Sequence, residues 1–502
     1  IPFLTGQILN PEQLGGSEGE QMKKYLALVL GVIFTLGFAA SAFAIHAEIP
    51  AETQAVVAKG ATQITLGGEL RFRGEYKNNT DMDKAGGQVT ATSAGENTDS
   101  DAIYDGRVRI RLQADVSKNT MGVIHLEAGN GFTGDSYSWG PADAEGKGVY
   151  GKGNSKRGDF NILEAWIQHK GSGLLGIPAG IKVGHMPLKL GEGLFFDHSK
   201  FGDDAIVVFM DPMKGLHIGL ITIKIAEGSA TAADDSDAYV ALMNYTSGKS
   251  SVGVDFTYVD DKTHYISSAG VATAFSTTTG TSPASNKGTH LYNIGLRGAT
   301  EVGGFGLKAD VELNGGSSKS EANFTGLSDK EIKHKGYAYL VGASYKLNPV
   351  KLSLDYAHGS GDSSSADNSN STFTNALSGT QHYTYVYEYR VDSAHDATGT
   401  GLANTRYIKL GATADLTKDL NIDANLYILN ATKKKSITTS AATKGDSKKI
   451  GRELDAKITY KIDKNLVYFV EGGYLWTGAF YDQAAITADD AYAVRHGITL
   501  SF

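Results

Sequence analysis

The sequence predicts an all-β fold, a transmembrane up-and-down antiparallel β-barrel of about 18 strands, with 16 as the alternative count. About 18 segments of roughly 9–13 residues alternate apolar and polar residues with a period of two, which suits tilted membrane-spanning strands. Short and long connections also alternate along the chain, as they do in barrels with short periplasmic turns and long extracellular loops. No segment has the pattern of a helix that would cover the apolar face of a soluble sheet.

The composition narrows the function classes. The 502 residues include 62 glycines, 9 prolines and no cysteine. Without cysteine the chain has no disulfide scaffold, thiolate metal site, c-type haem attachment or cysteine nucleophile. A net charge of −8 argues against a nucleic-acid partner.

The first 44 residues have the features of a targeting segment for export. Met22-Lys23-Lys24 is a short basic region, residues 26–40 form an apolar run, and Ala42-Phe43-Ala44 matches a cleavage site. These three parts in this order predict a signal peptide over 22–44.

Three further boundaries follow from that signal. We expect residues 1–21 to be upstream sequence included by mis-annotation, with Met22 as the initiator. Residues 45–60 are predicted to be a short periplasmic segment, in which 50–58 could form a short helix or a loose tail. The barrel itself is predicted over 61–502.

The alternation is clearest in the first two predicted strands. Ile64, Leu66 and Tyr76 share one face of the first strand, and Tyr104 and Ile110 share one face of the second. We expect the aromatic residues near strand ends on the apolar faces to form girdles at the membrane–water interfaces; they are Tyr76, Tyr104, Tyr345, Tyr460, Tyr474 and Trp476.

The lengths of the connections predict how the barrel is oriented across the membrane. The short connections are near 117–120, 211–215, 301–303, 348–349, 416–419 and 462–465. The long polar ones cover about 77–101, 131–158, 187–204, 261–288, 315–335, 359–404 and 432–450. We expect the long set to be extracellular and the short set periplasmic.

The C-terminus resembles that of the outer-membrane β-barrel proteins of Gram-negative bacteria. Residues 495–502 alternate and end on an aromatic side chain, although His496 stands where an apolar residue is commoner. The resemblance implies that Ile498, Leu500 and Phe502 form the signal read by the barrel-assembly machinery. It also implies a location in the cell outer membrane, in contact with its lipid and lipopolysaccharide.

Two further segments resemble porins. Residues 182–194 are similar to a strand-then-loop segment of large bacterial porins, with His185-Met186 where Arg-Gln is familiar. Residues 48–70 look similar to OmpJ-type porins of metal-reducing bacteria. Because trimers are common among porins, the resemblance implies a possible homotrimer.

Charged residues on the polar face are the candidate pore-lining set. The predicted inward arginines of the first two strands are Arg71, Arg73, Arg107, Arg109 and Arg111. Because like charges repel, they need acidic partners or a passing anion. Resemblance to porins implies that the loop after the fifth strand, about 187–204, enters the lumen and sets acids opposite the arginines; these are Glu192, Asp197, Asp203 and Asp204. Alternatively, these charges only keep the wall hydrated and folded.

The predicted function is that of a porin, a passive diffusion channel for ions and small hydrophilic solutes. The alternative is a barrel that sheathes a partner, such as a periplasmic or surface multihaem cytochrome of an electron conduit. We predict no catalytic residues, no metal site and no cofactor, because no converging nucleophile–base set or ligand spacing is visible.

Overall fold

The computed structural model describes residues 55–59, 62–80, 82, 100–128, 137–138, 160–173, 176–227, 235–262, 288–320, 330–362, 368–375, 383–391, 401–434, 447–482 and 487–502. The predicted segments 1–21 and 22–44 lie outside the described residues. Within the described ranges, no helix is long and apolar enough to cross a membrane.

The chain forms a closed antiparallel β-barrel of 18 strands, which confirms the predicted fold and the higher of the two strand counts. The first nine strands are β1 (Thr62–Asn78), β2 (Ser100–Ser117), β3 (Thr120–Ala128), β4 (Phe160–Gly171), β5 (Ala179–Met186), β6 (Asp203–Met213), β7 (Leu216–Ala226), β8 (Ser236–Ser247) and β9 (Ser250–Asp261).

The second nine strands complete the barrel in chain order. They are β10 (Thr289–Val302), β11 (Phe305–Ser320), β12 (Tyr337–Leu347), β13 (Val350–Gly359), β14 (Thr405–Asp415), β15 (Leu420–Ala431), β16 (Lys449–Asp463), β17 (Leu466–Thr477) and β18 (Ala491–Ser501). Short strands at Ala55–Lys59, Tyr137–Ser138, Lys330–His334 and Ser369–Asn370 add to this sheet.

Closure of the barrel depends on pairing between β1 and β18. The register runs from Glu69 opposite Ser501 to Asn78 opposite Tyr492. Gly68 and Phe502 then exchange two backbone hydrogen bonds of 2.7 and 3.0 Å. Because the sheet closes on itself, it has no free edge along the membrane-spanning part of these strands.

Residues 55–59, the described part of the N-terminal segment, do not form the helix that residues 50–58 could form. Ala55–Lys59 is a β-strand that pairs antiparallel with 62–66 of β1. β18 pairs with β1 only from residue 69 onward, so residues 62–66 of β1 are available to pair with 55–59. This pairing satisfies backbone N–H and C=O groups that a lone short helix would leave without partners.

The outer face of the barrel is apolar. Ile206, Val208, Leu220, Leu296 and Leu354 all point outward and are exposed. Five of the six predicted girdle residues are likewise exposed large side chains, namely Tyr76, Tyr104, Tyr460, Tyr474 and Trp476. Such a surface is stable in lipid, since closed barrels satisfy their backbone groups internally. The chain is a multi-pass β-barrel of the outer membrane.

Connection lengths alternate without exception around the barrel. Hairpins as short as 118–119, 214–215 and 348–349 alternate with connections such as 187–202 and 360–404. The predicted alternation of short turns and long loops is therefore confirmed.

The inner face is not polar throughout. Near the long-loop end of β7–β12, the inward residues Ile223, Val240 and Leu291 join an apolar cluster with Phe195 and Phe196 of the connection after β5. This connection thus enters the barrel and buries its own apolar residues there. Burial removes water from both surfaces and fixes the position of the loop.

Replacing Gly68 by valine should destabilise the barrel by about 1–3 kcal/mol, because overpacking forces neighbouring groups apart. A Cβ at residue 68 would lie 2.5 Å from the Phe502 ring and 2.9 Å from the Arg109 carbonyl oxygen, at the closing seam. Unfolding in urea, followed by tryptophan fluorescence in lipid vesicles, measures the change.

Gly122→Val is the matched control, since a Cβ there would meet its nearest atom, the Trp166 carbonyl oxygen, at 3.6 Å. We expect that control to stay within about 0.5 kcal/mol of the parent. Equal effects of the two valines would contradict the steric account of the seam.

Candidate pore and its constriction

The predicted arginines line one side of the lumen, and we call Arg71, Arg73, Arg107, Arg109 and Arg111 the basic sector. Its members lie on β1 and β2, whose register places Arg71 opposite Arg107 and Arg73 opposite Asp105. All except Arg111 are buried. The structure therefore brings the five side chains to one wall at mid-height of the barrel.

Acids of the same wall pair with the basic sector. Arg107 donates to Glu69 at 2.9 and 2.5 Å, and Arg73 donates to Asp105 at 2.7 and 2.8 Å. Arg109 donates to Glu127 of β3 at 2.5 Å. Charge-assisted pairs of this kind stabilise buried guanidinium groups. Much of the positive charge is thus balanced within the wall.

The connection 187–202, which we call the inward loop, crosses the lumen. It leaves β5 and returns to β6, yet Lys308 of β11 donates to Glu192 at 2.6 Å. The Glu192 backbone N–H also donates to the Asp310 carboxylate at 2.7 Å. The expectation that the loop after the fifth strand folds inward agrees with these contacts.

The acids of the inward loop do not contact the basic sector through any described ion pair. Glu192 pairs with Lys308, and Asp197 pairs with Lys189 of the same loop at 2.8 Å. Asp203 is buried at the start of β6 and accepts from His198 at 2.8 Å. The ion pairs seen for Glu192, Asp197 and Asp203 in the described residues are thus made with Lys308, Lys189 and His198.

Asp204 does not belong to the lumen. Its side chain is 74% exposed, shares the outward face of β6 with Ile206 and Val208, and pairs with His185 at 2.9 Å. Because β6 already begins at Asp203, the alternation of the strand sends Asp203 inward and Asp204 outward. Its prediction as a pore-lining residue is corrected accordingly.

Glycines shape the tip of the inward loop. Gly191 and Gly193 have φ angles of 56° and 84°, in the left-handed region that glycine adopts without strain. A Cβ at residue 191 would lie 2.3 Å from Asp310 and 2.8 Å from Arg297. The loop backbone thus approaches the wall formed by β10 and β11 directly.

Three carboxylates form an opposite wall, and we call Asp255, Asp310 and Glu312 the acidic sector. All three are buried and point inward from β9 and β11. Arg297 of β10 donates to Asp255 at 2.6 Å, and Asn293 donates to Glu312 at 2.5 Å. Because β10 is the ninth strand from β1 in a barrel of 18, this sector faces the basic sector across the lumen.

A second segment of the chain enters the lumen. Residues 383–391 of the connection after β13, which we call the tyrosine segment, carry tyrosine at every second position from 383 to 389. The backbone N–H groups of Val386 and Tyr387 donate to the two oxygens of Glu453 on β16 at 2.5 and 2.9 Å. Arg390 donates to Glu75 on β1 at 2.5 Å.

The tyrosine segment is deeply buried. The Tyr387 hydroxyl lies 2.9 Å from that of Tyr481, and the Arg390 guanidinium lies 3.7 Å from the Tyr389 ring centroid. Burial raises the pKa of Glu388 well above its usual range, because the charged carboxylate loses its hydration. The segment narrows the lumen on the side of β16–β18.

Sequence reasoning missed the acidic sector and the tyrosine segment. Asp255, Glu312 and Arg297 lie far apart in the chain, and only the strand register brings them together. A visible signal for the tyrosine segment was the spacing of its aromatic residues within a loop otherwise rich in Ser, Asn and Asp. A signal for the inner apolar cluster was the loss of alternation in runs such as 219–223.

The fold and the charged lumen define the class of protein, an outer-membrane β-barrel with porin architecture. Residues 248–494 match the model of a family described as alginate export. No curated protein matches the sequence.

Solved structures of Pseudomonas aeruginosa channels resemble the fold. OccK9 (OpdG) has 12% identity and a TM-score of 0.49 over 88% of this chain and 98% of that chain. OpdK, solved with vanillate, has 11% identity and a TM-score of 0.48 over 87% of this chain and 98% of that chain. At these identities the likeness concerns the fold alone.

Arg107→Gln should lower the free energy of unfolding by about 3–5 kcal/mol, because it leaves Glu69 buried without its hydrogen-bonded counter-charge, whereas Glu127 keeps its pair with Arg109. Arg107 Nη2 lies 2.5 Å from Glu69 and its Nε lies 3.8 Å from Glu127. Urea unfolding in lipid vesicles gives the difference.

Lys77→Gln serves as the control on the same pair of strands. Lys77 and Asp101 are partly exposed and 3.8 Å apart, so we expect a loss of about 0–1 kcal/mol. A loss for Arg107→Gln no larger than this would show that the basic sector is hydrated rather than paired.

Proposed function

We propose that this protein is a passive diffusion channel for ions and small hydrophilic solutes. The observation that carries the proposal is the pair of opposed charged sectors, with arginines on β1 and β2 and carboxylates on β9 and β11. A barrel of this size encloses a lumen wide enough for water once loops leave a path. Opposed charges orient and sort polar solutes that pass between them.

The mechanism needs no chemical step. A solute moves down its own concentration gradient, and the inward loop and tyrosine segment restrict its size. Their anchoring on both walls, through Lys308 and Glu75, supports a fixed rather than a loose restriction. The lining charges then set which solutes enter most readily.

The alternative, a sheath for a cytochrome, is less favoured. Two segments of this same chain already enter the lumen, as the Glu192–Lys308 and Arg390–Glu75 pairs indicate. A protein partner inside the barrel would have to displace both segments and the apolar cluster around Phe195 and Phe196.

Alginate, named in the description of the matching family model, is also less favoured as the solute. Alginate is a polyanion, whereas buried acids outnumber buried bases among the described residues of this barrel. A path for a polyanion would instead be expected to carry an excess of basic groups.

Single-channel recording of the purified protein in a planar lipid bilayer tests the proposed function. We expect stepwise currents in potassium chloride that scale with salt concentration, as for a water-filled pore. A correctly folded barrel that passes no current would contradict a diffusion channel.

Arg390→Ala should raise the mean conductance, because it removes the charge-assisted bond that holds the tyrosine segment to β1. Such bonds are worth about 1.5–3 kcal/mol, which would raise the population with the segment detached by about tenfold or more. Arg390 and Glu75 are both buried and lie 2.5 Å apart. Conductance histograms from many channels measure the shift.

Arg406→Ala is the matched control, because Arg406 lies on the exposed outer face of β14. We expect its conductance to equal that of the parent. An unchanged histogram for Arg390→Ala would mean that the tyrosine segment does not limit the current.

A further inference from the structure

The buried charged side chains of the described barrel are predominantly acidic, although four of the five arginines of the basic sector are among them. Among the buried charged side chains of the described residues, fifteen are acidic and seven are basic. The arginines do not outweigh this surplus, because Glu69, Asp105 and Glu127 are paired with them inside their own wall. The arginines of the basic sector therefore do not determine the sign of the electrostatic potential in the lumen.

The acidic sector concentrates this negative charge at the constriction. In the strand register, Asp255 of β9, Gly295 of β10 and Glu312 of β11 form one row across the wall. A Cβ at residue 295 would lie 2.3 Å from Asp255 Oδ2 and 2.8 Å from Glu312 Oε2. Glycine at this position thus allows two carboxylates to approach each other closely.

Neutralisation within the acidic sector is incomplete. Arg297 pairs with Asp255, whereas Lys308, the next basic residue on the wall, is engaged by Glu192 of the inward loop. Three carboxylates therefore share one guanidinium. Even with one proton bound between two of them, the sector keeps a net negative charge.

Several oxygens at this wall have no hydrogen-bond donor in the described part of the chain. They include Asp255 Oδ2, Asp310 Oδ1 and Glu312 Oε1. The hydroxyl of Thr257, which is fully buried and lies two residues along β9 on the same face as Asp255, also has no partner among the described residues. Carboxylate and hydroxyl oxygens without donors are the ligands that hard cations prefer.

We propose that the acidic sector makes the pore selective for small inorganic cations over anions. The inference rests on the proposed channel function and specifies its solute class. A buried carboxylate surplus lowers the free energy of a cation in the adjacent lumen and raises that of an anion, and low-dielectric walls strengthen both effects. The basic sector, paired within its own wall, contributes less to this balance.

The test is the reversal potential of single channels in a planar bilayer under a gradient of potassium chloride. We expect potassium to permeate at least about threefold more readily than chloride in the parent protein. In the double variant Asp255→Asn/Glu312→Gln, the preference should fall to about equal permeability, because both substitutions keep the size of the side chain and remove its charge.

Asp204→Asn is the matched control. It removes one carboxylate from the outer face of β6, so its reversal potential should equal that of the parent. A chloride-favouring potential in the parent, or a potassium preference that the double variant retains, would overturn the inference. If the double variant does not fold, the reversal potential of the parent protein by itself tests the inference. Absence of any current would overturn the proposed channel function, so the two failures are distinguishable.

Discussion

Pairing of buried charges with counter-charges inside this barrel organises the rest of the structure, and the acidic sector is a place where that pairing is incomplete. Strand alternation sends every second residue inward, and an uncompensated buried charge costs several kcal/mol. Register meets the requirement where it can, as in the Arg107–Glu69 and Arg73–Asp105 pairs of β1 and β2. Elsewhere loops supply the partner, as Arg390 does for Glu75 and Glu192 does for Lys308. The inward loop and the tyrosine segment thus supply counter-charges to the wall and also narrow the lumen.

Apolar burial and charge have separate roles in placing the inward loop. Phe195 and Phe196 are almost fully buried in the inner apolar cluster, and burial of each such side chain contributes about 1.5–3 kcal/mol. The Glu192–Lys308 pair at the loop tip is about one-third exposed on both sides, so it contributes much less. The loop is therefore held by its apolar residues, and its tip is free to vary in charge without loss of the fold.

The sequence predicts those parts of the structure that depend on the local alternation of apolar and polar residues. Alternation along β1 and β2 and the loop lengths depend on neighbouring residues, and both agree with the structure. The inward path of the loop after the fifth strand is implied by the resemblance to porins rather than by periodicity. The acidic sector could not be predicted, because Asp255, Arg297 and Glu312 meet only through the register of three strands. Asp204 shows how sensitive such predictions are to one boundary, since a strand that begins at Asp203 reverses the direction of the next side chain.

The two ends of the described chain meet along one edge of β1. Phe502 pairs with Gly68, and Ala55 pairs with Leu66, so Ala55–Lys59 continues the line of β18 in the same direction toward the periplasmic rim. Residues 55–59 and β18 thus lie end to end beside β1, although they are far apart in the sequence. A circular permutant that joins Phe502 to Ala55 through one or two residues and opens in a long extracellular loop would preserve every strand neighbour. In such a chain the closing seam would be made by a different pair of strands.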